Sequence, residues 1–308
     1  MAKHFAIITP CFNEGETVDI FLSEVQELLF KSDFEFTIYV IDDHSTDDTL
    51  TYLKEFKVEY DNVHLKIIRL KYNMGHQEAI RQGLLFINHF IDEYESVIVM
   101  DSDGEDDPAA ILKGLEFDEY DIIVFERGKR NEGWKFQVGY LLYKILFRIV
   151  TGKSITFGNY SILKANVVRA ISQQKFYHYA GFLSKQKYRI KKIKFDRRSR
   201  IKGVSKMSYD GLVLHGLKSL VEYSEELLYF FIKNLVVLIS LSLIFGLVVL
   251  YKKFISHEAI LGWASNVGIG LIQLILVIST FLASSLLLLS IKNMLKKSDE
   301  NLYELIRD

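Results

Sequence analysis

The chain has 308 residues, of which 49% are hydrophobic, and a formal net charge of −1 at neutral pH. A charge so close to zero argues against a nucleic-acid-binding protein. The single cysteine, Cys11, excludes an internal disulfide.

The first part of the chain alternates apolar runs with helical patterns, which predicts an α/β domain with a mostly parallel sheet covered on both faces. The first run, Phe5–Thr9, breaks at Pro10 and leads into a helical pattern that ends at Leu29. Two more runs, Phe36–Ile41 and His64–Leu70, are each followed by polar residues. Parallel strands release such residues at one edge, so we expect a ligand cleft there.

The fourth run ends in an acidic loop. Five carboxylates lie within the seven residues from Asp101 to Asp107. Hard oxygen ligands at the end of a strand favour Mg²⁺ or Mn²⁺ held together with a phosphate-bearing substrate. A solvated acidic turn is the simpler alternative. A fifth strand, Asp121–Glu126, is followed by basic residues that begin at Arg127.

Beyond residue 227 the composition resembles that of a membrane protein. The stretches 235–251 and 267–291 carry almost no charge and predict two transmembrane helices, although buried core helices are the alternative. A basic segment, 185–206, precedes them and would attract anionic lipid headgroups. We predict a catalytic domain over 1–210, interfacial amphipathic helices over 211–232, a two-helix anchor over 233–291 and a cytoplasmic tail over 292–308.

Several motifs in this order carry a family resemblance. They are Thr9-Pro10-Cys11-Phe12-Asn13-Glu14, Ile41-Asp42-Asp43-His44-Ser45-Thr46-Asp47, Asn73-Met74-Gly75-His76-Gln77, Met100-Asp101-Ser102-Asp103 and the segment Arg197 to Met207. Together they resemble family 2 glycosyltransferases with the GT-A fold, a Rossmann-like catalytic domain. The branch they resemble is the polyprenyl-phosphate glycosyltransferases, which include dolichol-phosphate mannose synthase and bacterial undecaprenyl-phosphate glucosyltransferases.

The resemblance implies roles for particular residues. The family lines its nucleotide pocket at the positions of Thr9, Pro10 and Glu14, and contacts the base at that of Asp43. The implied metal ligands for Mg²⁺ or Mn²⁺ are Asp101, Asp103 and Glu105. The element that would cover the donor diphosphate contains Arg200, Ser205 and Lys206. The implied catalytic set is Asp101, Asp103, Arg127 and Lys135, the last two to receive the acceptor phosphate.

Three positions depart from the family pattern. Asn159 stands where many relatives carry an acid, which weakens any proposal of a general base there. Gly104 and Asp107 replace the common Leu and Pro in the metal loop. A lipid phosphate is already an anion at neutral pH, however, so its attack on the sugar needs no base.

The predicted function is therefore inverting, metal-dependent transfer of a hexose from a nucleotide sugar to a polyprenyl phosphate. A UDP-sugar such as UDP-glucose is favoured, although a GDP-sugar stays open. The alternatives are a glycosyltransferase acting on another membrane lipid, such as a diacylglycerol or ceramide, and a non-catalytic nucleotide-binding membrane scaffold.

The sequence also suggests where the protein acts. No signal-peptide pattern precedes Phe5, so we expect the catalytic domain on the cytoplasmic side of the plasma membrane, in contact with membrane lipids. Glycines in the apolar region would allow helices to approach closely, and a homo-oligomer is therefore possible. These glycines are Gly246, Gly262, Gly268 and Gly270.

Overall fold

A computed structural model of the chain describes residues 3–127, 141, 144–145, 147–195, 198, 200–201, 216, 219–257, 262–294 and 302–307, without the side chains of 263–264, 290 and 292–294. These residues form two compact units. The first contains 1–133, 155–218 and 299–308, and the second contains 134–154 and 219–298.

The first unit is built on one eight-stranded sheet. Its strands are β1 His4–Cys11, β2 Glu35–Asp42, β3 Val63–Leu70, β4 Ser96–Val99, β5 Ile122–Arg127, β6 Ser161–Lys164, β7 Ile190–Phe195 and β8 Tyr303–Arg307. Their order is β7-β5-β6-β4-β1-β2-β3-β8, in which β6 and β8 run antiparallel to their neighbours. The mostly parallel α/β sheet of the prediction is confirmed.

The helices of this unit cover both faces of the sheet. They are α1 Glu16–Leu29, α2 Thr49–Glu55, α3 His76–Ile87, α4 Ala109–Leu115, α5 Ala165–Ile171 and α6 Tyr179–Lys185, with a 3₁₀ helix over Asn88–Glu93. Neighbouring strand residues face opposite ways, so Ile8 joins the core with α3, α5 and α6, whereas Ile7 joins the core with α1, α2 and α4. Because helices bury both faces of the sheet, a functional site is expected at its carboxyl edge.

The last strand, β8, comes from the segment predicted as a tail. It pairs with β3, and Arg307 Nη1 donates to the carbonyl oxygen of Phe56 at 2.8 Å. The ring of Tyr303 meets that of Phe86 edge-on at 5.2 Å. The end of the chain therefore covers a sheet edge that would otherwise offer unpaired backbone groups.

The second unit contains two long apolar helices, α7 Ser224–Phe254 and α8 Trp263–Met294. Both are long and apolar enough to cross a membrane by length and composition. The rings of Phe231 and Phe281 stack between them at 5.6 Å. Residues 224–232, predicted as interfacial, continue α7 without a break, because no helix-breaking residue separates them from the apolar stretch.

Candidate active site

Four parallel strands end side by side at the carboxyl edge of the sheet. The loops after β1, β2, β3 and β4 therefore meet there. This is where ligands bind in open α/β sheets. All four polar motifs predicted to form the cleft lie at these strand ends and in the segments that directly follow them.

The acidic loop after β4 is folded by its own side chains. Asp106 is buried and accepts the backbone N–H of Asp101 through Oδ2 at 3.0 Å. Asp103 Oδ1 accepts the N–H of Glu105 at 3.0 Å, and Ser102 donates to the carbonyl oxygen of Pro10 at 2.9 Å. Asp106 therefore shapes the loop that carries Asp101, Asp103 and Glu105.

A guanidinium group lies against two of these carboxylates. Arg200 Nη2 is 2.7 Å from Asp103 Oδ2, and its Nε is 3.5 Å from Glu105 Oε1. The pair of carboxylates is thus already arranged around the positive charge of Arg200, which fits the chemistry of a cation site. In the part of the chain that the structure describes, no three His, Cys, Asp or Glu side chains form a group that could hold a metal ion. A bound diphosphate would have to supply further oxygen ligands.

The third predicted ligand, Asp101, faces a different group. His76 Nε2 lies 3.1 Å from Asp101 Oδ1, and Asn159 Nδ2 lies 2.8 Å from the same His76 nitrogen. Burial lowers the pKa of His76, but the charge of Asp101 and its hydrogen bond outweigh burial and raise that pKa above its usual value. His76 and Asn159 thus belong to the acidic site, although no role was predicted for His76 from the sequence. The sequence feature that could have indicated a role for His76 is its position at the start of a helix that follows a strand.

The loops after β1 and β2 are tied to each other. Asn13 has a positive φ of 54° and donates its backbone N–H to Ser45 Oγ at 3.0 Å. Its side-chain oxygen accepts the N–H of Thr46 at 2.8 Å. The backbone N–H of Gly15, beside Glu14, donates to Thr49 Oγ1 at 2.7 Å. The predicted pocket segment from Pro10 to Glu14 is therefore held in a fixed shape.

Thr9 and Asp43 are both buried at this edge. Among the described residues, the hydroxyl of Thr9 has no hydrogen-bond partner. Asp43 accepts the backbone N–H groups of Met74 and Gly75 at 2.7 and 2.8 Å. Burial raises the pKa of the Asp43 carboxyl, and these two hydrogen bonds oppose that rise. Asp43 therefore organises the loop after β3, and its predicted contact with a base stays a prediction.

The remaining predicted residues lie elsewhere. Arg127 is the last residue of β5, next to Glu126, which pairs with Lys192 at 3.1 Å. Lys135, Ser205 and Lys206 lie outside the described residues. Their predicted roles at the acceptor and donor phosphates stay predictions.

Comparison with known proteins agrees with the geometry. The model of glycosyl transferase family 2 matches residues 6–182, more than half of the chain. An uncharacterized glycosyltransferase of Bacillus subtilis, YkcC, is 22% identical over 88% of this chain and 85% of its own. The uncharacterized glycosyltransferase sll0501 of Synechocystis is 26% identical over 73% of this chain and 70% of its own.

Solved structures show the same fold. Glucosyl-3-phosphoglycerate synthase of Mycobacterium tuberculosis, in complex with Mn²⁺, UDP-glucose and phosphoglyceric acid, superposes with a TM-score of 0.52 at 13% identity, over 73% of this chain and 80% of that one. Mannosyl-3-phosphoglycerate synthase of Rubrobacter xylanophilus superposes with a TM-score of 0.51 at 13% identity, over 73% of this chain and 74% of that one.

A mostly parallel α/β sheet with an Asp-x-Asp loop at its carboxyl edge defines the first unit as a GT-A-like domain. The family match makes the assignment specific. The chain belongs to glycosyl transferase family 2 and is a glycosyltransferase that uses a nucleotide sugar.

Proposed function

We propose that this protein transfers a hexose from a nucleotide sugar to a polyprenyl phosphate at the cytoplasmic face of the plasma membrane, with inversion at the anomeric carbon. The observation that carries the proposal is the Asp101 and Asp103 loop at the sheet edge, in a chain that also has two helices suited to a bilayer. The favoured donor is a UDP-sugar, and first among these UDP-glucose, the ligand of the solved structure of the same fold.

The donor would lie across the carboxyl edge of the sheet. The fixed loop from Thr9 to Glu14 and the Asp43 loop would hold the nucleoside, and Arg200 would bind the diphosphate with Ser205 and Lys206. A divalent cation, Mg²⁺ or Mn²⁺, held by Asp101, Asp103 and Glu105 would offset the charge of the departing nucleoside diphosphate.

The acceptor chemistry follows from the side chains near Asp101. Asn159 is an amide and does not act as a proton acceptor, so this residue, 3.4 Å from Asp101 Oδ1, cannot serve as a carboxylate base. An acceptor phosphate needs no base, because it is already an anion. Arg127 and Lys135 would hold it in line with the anomeric carbon, since an arginine fork offers a phosphate two parallel donors.

The test is transfer of radiolabelled sugar by the purified full-length protein to undecaprenyl phosphate, with diacylglycerol and ceramide supplied as alternative acceptors. The donors are UDP-glucose, UDP-N-acetylglucosamine, UDP-galactose and GDP-mannose, each with Mn²⁺, with Mg²⁺ or with EDTA. We expect one UDP-sugar to label the lipid phosphate only when a metal is present. Asp103→Asn should abolish labelling, because it removes a charged ligand.

Asp107→Asn is the matched control. Asp107 lies in the same loop, but its carboxylate accepts the N–H of Ala109 at 3.1 Å, a bond that Asn can also form. Labelling of diacylglycerol or ceramide instead of the lipid phosphate would overturn the proposed acceptor. Nucleotide binding without transfer to any of these lipids would overturn the enzymatic proposal in favour of a scaffold.

A further inference from the structure

The described part of a short segment, Arg198, Arg200 and Ile201, is attached to the acidic loop by backbone hydrogen bonds. The N–H of Arg198 donates to the carbonyl oxygen of Glu105 at 3.1 Å, and the N–H of Ile201 donates to that of Asp103 at 3.3 Å. These bonds fix the segment in register with the loop. Arg200, between them in sequence, is thereby directed at the carboxylates of Asp103 and Glu105.

The ion pairs of Arg200 are sheltered from water. The side chains of Arg200, Asp103 and Glu105 are only 23%, 12% and 13% exposed. Surface ion pairs contribute little because water competes for both charges, whereas a charge-assisted hydrogen bond in a sheltered site is stronger. A cation that approaches Asp103 and Glu105 must therefore displace a well-held guanidinium.

Gly104 adds steric complementarity to the same contact. It has a φ of +77°, and a Cβ there would lie 2.4 Å from Cγ1 and 2.5 Å from Cδ1 of Ile201. The side chain of Ile201 thus fits against the bare backbone of the loop.

We propose that Arg200 is an internal counter-cation of Asp103 and Glu105, so that this pair accepts a divalent cation together with a diphosphate but not as a free ion. A free cation would have to displace Arg200 with no new partner for its charge. A diphosphate offers Arg200 phosphate oxygens, and Arg200 then leaves the two carboxylates to the cation. The form of donor that the site takes is thus the metal–diphosphate complex. This inference rests on the proposed function only for the nature of the donor.

The test is equilibrium binding of Mn²⁺ to the full-length protein, followed by the electron paramagnetic resonance signal of free Mn²⁺, with and without UDP. We expect the unchanged protein to bind free Mn²⁺ weakly and to bind it much more tightly with UDP. Arg200→Gln should bind free Mn²⁺ at least tenfold more tightly than the unchanged protein. UDP should then increase its affinity for Mn²⁺ by a smaller factor than in the unchanged protein. No increase in affinity for free Mn²⁺ in Arg200→Gln would overturn the proposal.

Two further variants make the test specific. Arg198→Gln is the matched control, because its guanidinium pairs with Glu24 at 2.9 Å and not with the loop carboxylates, and we expect unchanged Mn²⁺ binding. Ile201→Ala keeps every charge but removes the contact with Gly104. Like Arg200→Gln, it should increase the affinity for free Mn²⁺. UDP could leave the Mn²⁺ affinity of every variant unchanged while Arg200→Gln still binds free Mn²⁺ more tightly. The counter-cation role would then hold, and the proposal of a nucleotide donor would be overturned.

Discussion

The side-chain amide nitrogen of Asn159 lies 2.8 Å from Nε2 of His76. The same nitrogen is 3.4 Å from Asp101 Oδ1. Gln77 fixes this orientation, because its Oε1 accepts the backbone N–H of Tyr179 and its Nε2 therefore donates to Asn159 Oδ1, at 3.3 Å. A chain of amides thus links α6 and the start of α3 to the Asp-x-Asp loop.

Asn159→Asp tests this chain of amides. The change replaces a donor with an acid about as close to Asp101 as the amide is now, and the two carboxylates would repel each other. We expect turnover in the lipid-labelling assay to fall at least tenfold, while the melting temperature stays close to that of the unchanged protein.

Gln174→Glu is the control for Asn159→Asp. It is also an amide-to-acid change, but Gln174 is exposed and its amide donates to the carbonyl oxygen of Ala170. Its turnover should match that of the unchanged protein. Full activity of Asn159→Asp would show that the amide does not position Asp101.

Gly83→Ala tests how closely α3 packs on the sheet. A Cβ at Gly83 would lie 2.8 Å from Cγ2 of Ile8 and 3.1 Å from Cγ1 of Ile41. Overpacking a core costs about 1–3 kcal/mol, against a gain of about 0.5–1 kcal/mol when Ala replaces Gly in a helix. We therefore expect a lower melting temperature, measured by circular dichroism.

Gly246→Ala provides the control for Gly83→Ala. A Cβ at Gly246, within α7, would meet nothing within 4 Å, so only the helix gain applies. Its melting temperature should be unchanged or higher. Equal effects of the two substitutions would contradict the packing argument.

Much of the site could be predicted from the sequence, because its signals are local. An apolar run followed by Asp101-Ser102-Asp103 marks both a strand and the edge at which it ends. The contacts of Arg200 and Asn159 could not be predicted, because their partners are 97 and 83 residues away in sequence. The strand over Tyr303–Arg307 was missed for the same reason, since its partner β3 lies more than 230 residues earlier.

Glu126 gives a pH-dependent prediction. Burial raises the pKa of its carboxyl, but the hydrogen bonds from Thr156 and Lys192 and the charge of Lys192 outweigh burial and lower that pKa below its usual value. A lowered pKa in the folded state means that the pair stabilises the fold above the unfolded pKa. This stabilisation is lost as the pH falls through the folded pKa.

Glu126→Gln should therefore melt at a lower temperature than the unchanged protein near neutral pH, and the difference should vanish in acid. Because Lys192 is partly exposed, we expect the pair to contribute less than about 1 kcal/mol to the free energy of unfolding. Glu27→Gln removes a pair with Lys31, 3.7 Å apart, whose side chains are 67% and 65% exposed, and it should have a smaller effect at every pH. A difference for Glu126→Gln that persists or grows in acid would contradict the assigned sign.

An apolar stripe in the second unit tests the proposed membrane location. Leu141, Ile145 and Ile149 lie on one face of the helical residues between 141 and 151, and they are 57%, 49% and 60% exposed. The basic residues Lys144 and Arg148 lie beside this stripe. Such a face suits the headgroup region of an anionic bilayer.

The helical residues that carry the stripe are attached next to the start of α7. The ring of Phe147 meets that of Tyr223 edge-on at 5.1 Å, and Tyr223 directly precedes Ser224, the first residue of α7. We therefore expect a nitroxide label on Ile145→Cys, in nanodiscs that contain anionic lipid, to be more accessible to oxygen than to an aqueous nickel complex. Labels on Leu241→Cys in α7 and on Phe90→Cys in the sheet unit provide the lipid and water references.

Each outcome of the labelling has a separate meaning. Cys11 is buried, so the unchanged protein gives the labelling background. A label at 145 that matches the one at 90, while the one at 241 lies in lipid, would show that α7 is in the bilayer and the stripe is not. If the label at 241 is as accessible to the nickel complex as the one at 90, α7 lies in water. That result would contradict the proposed membrane location.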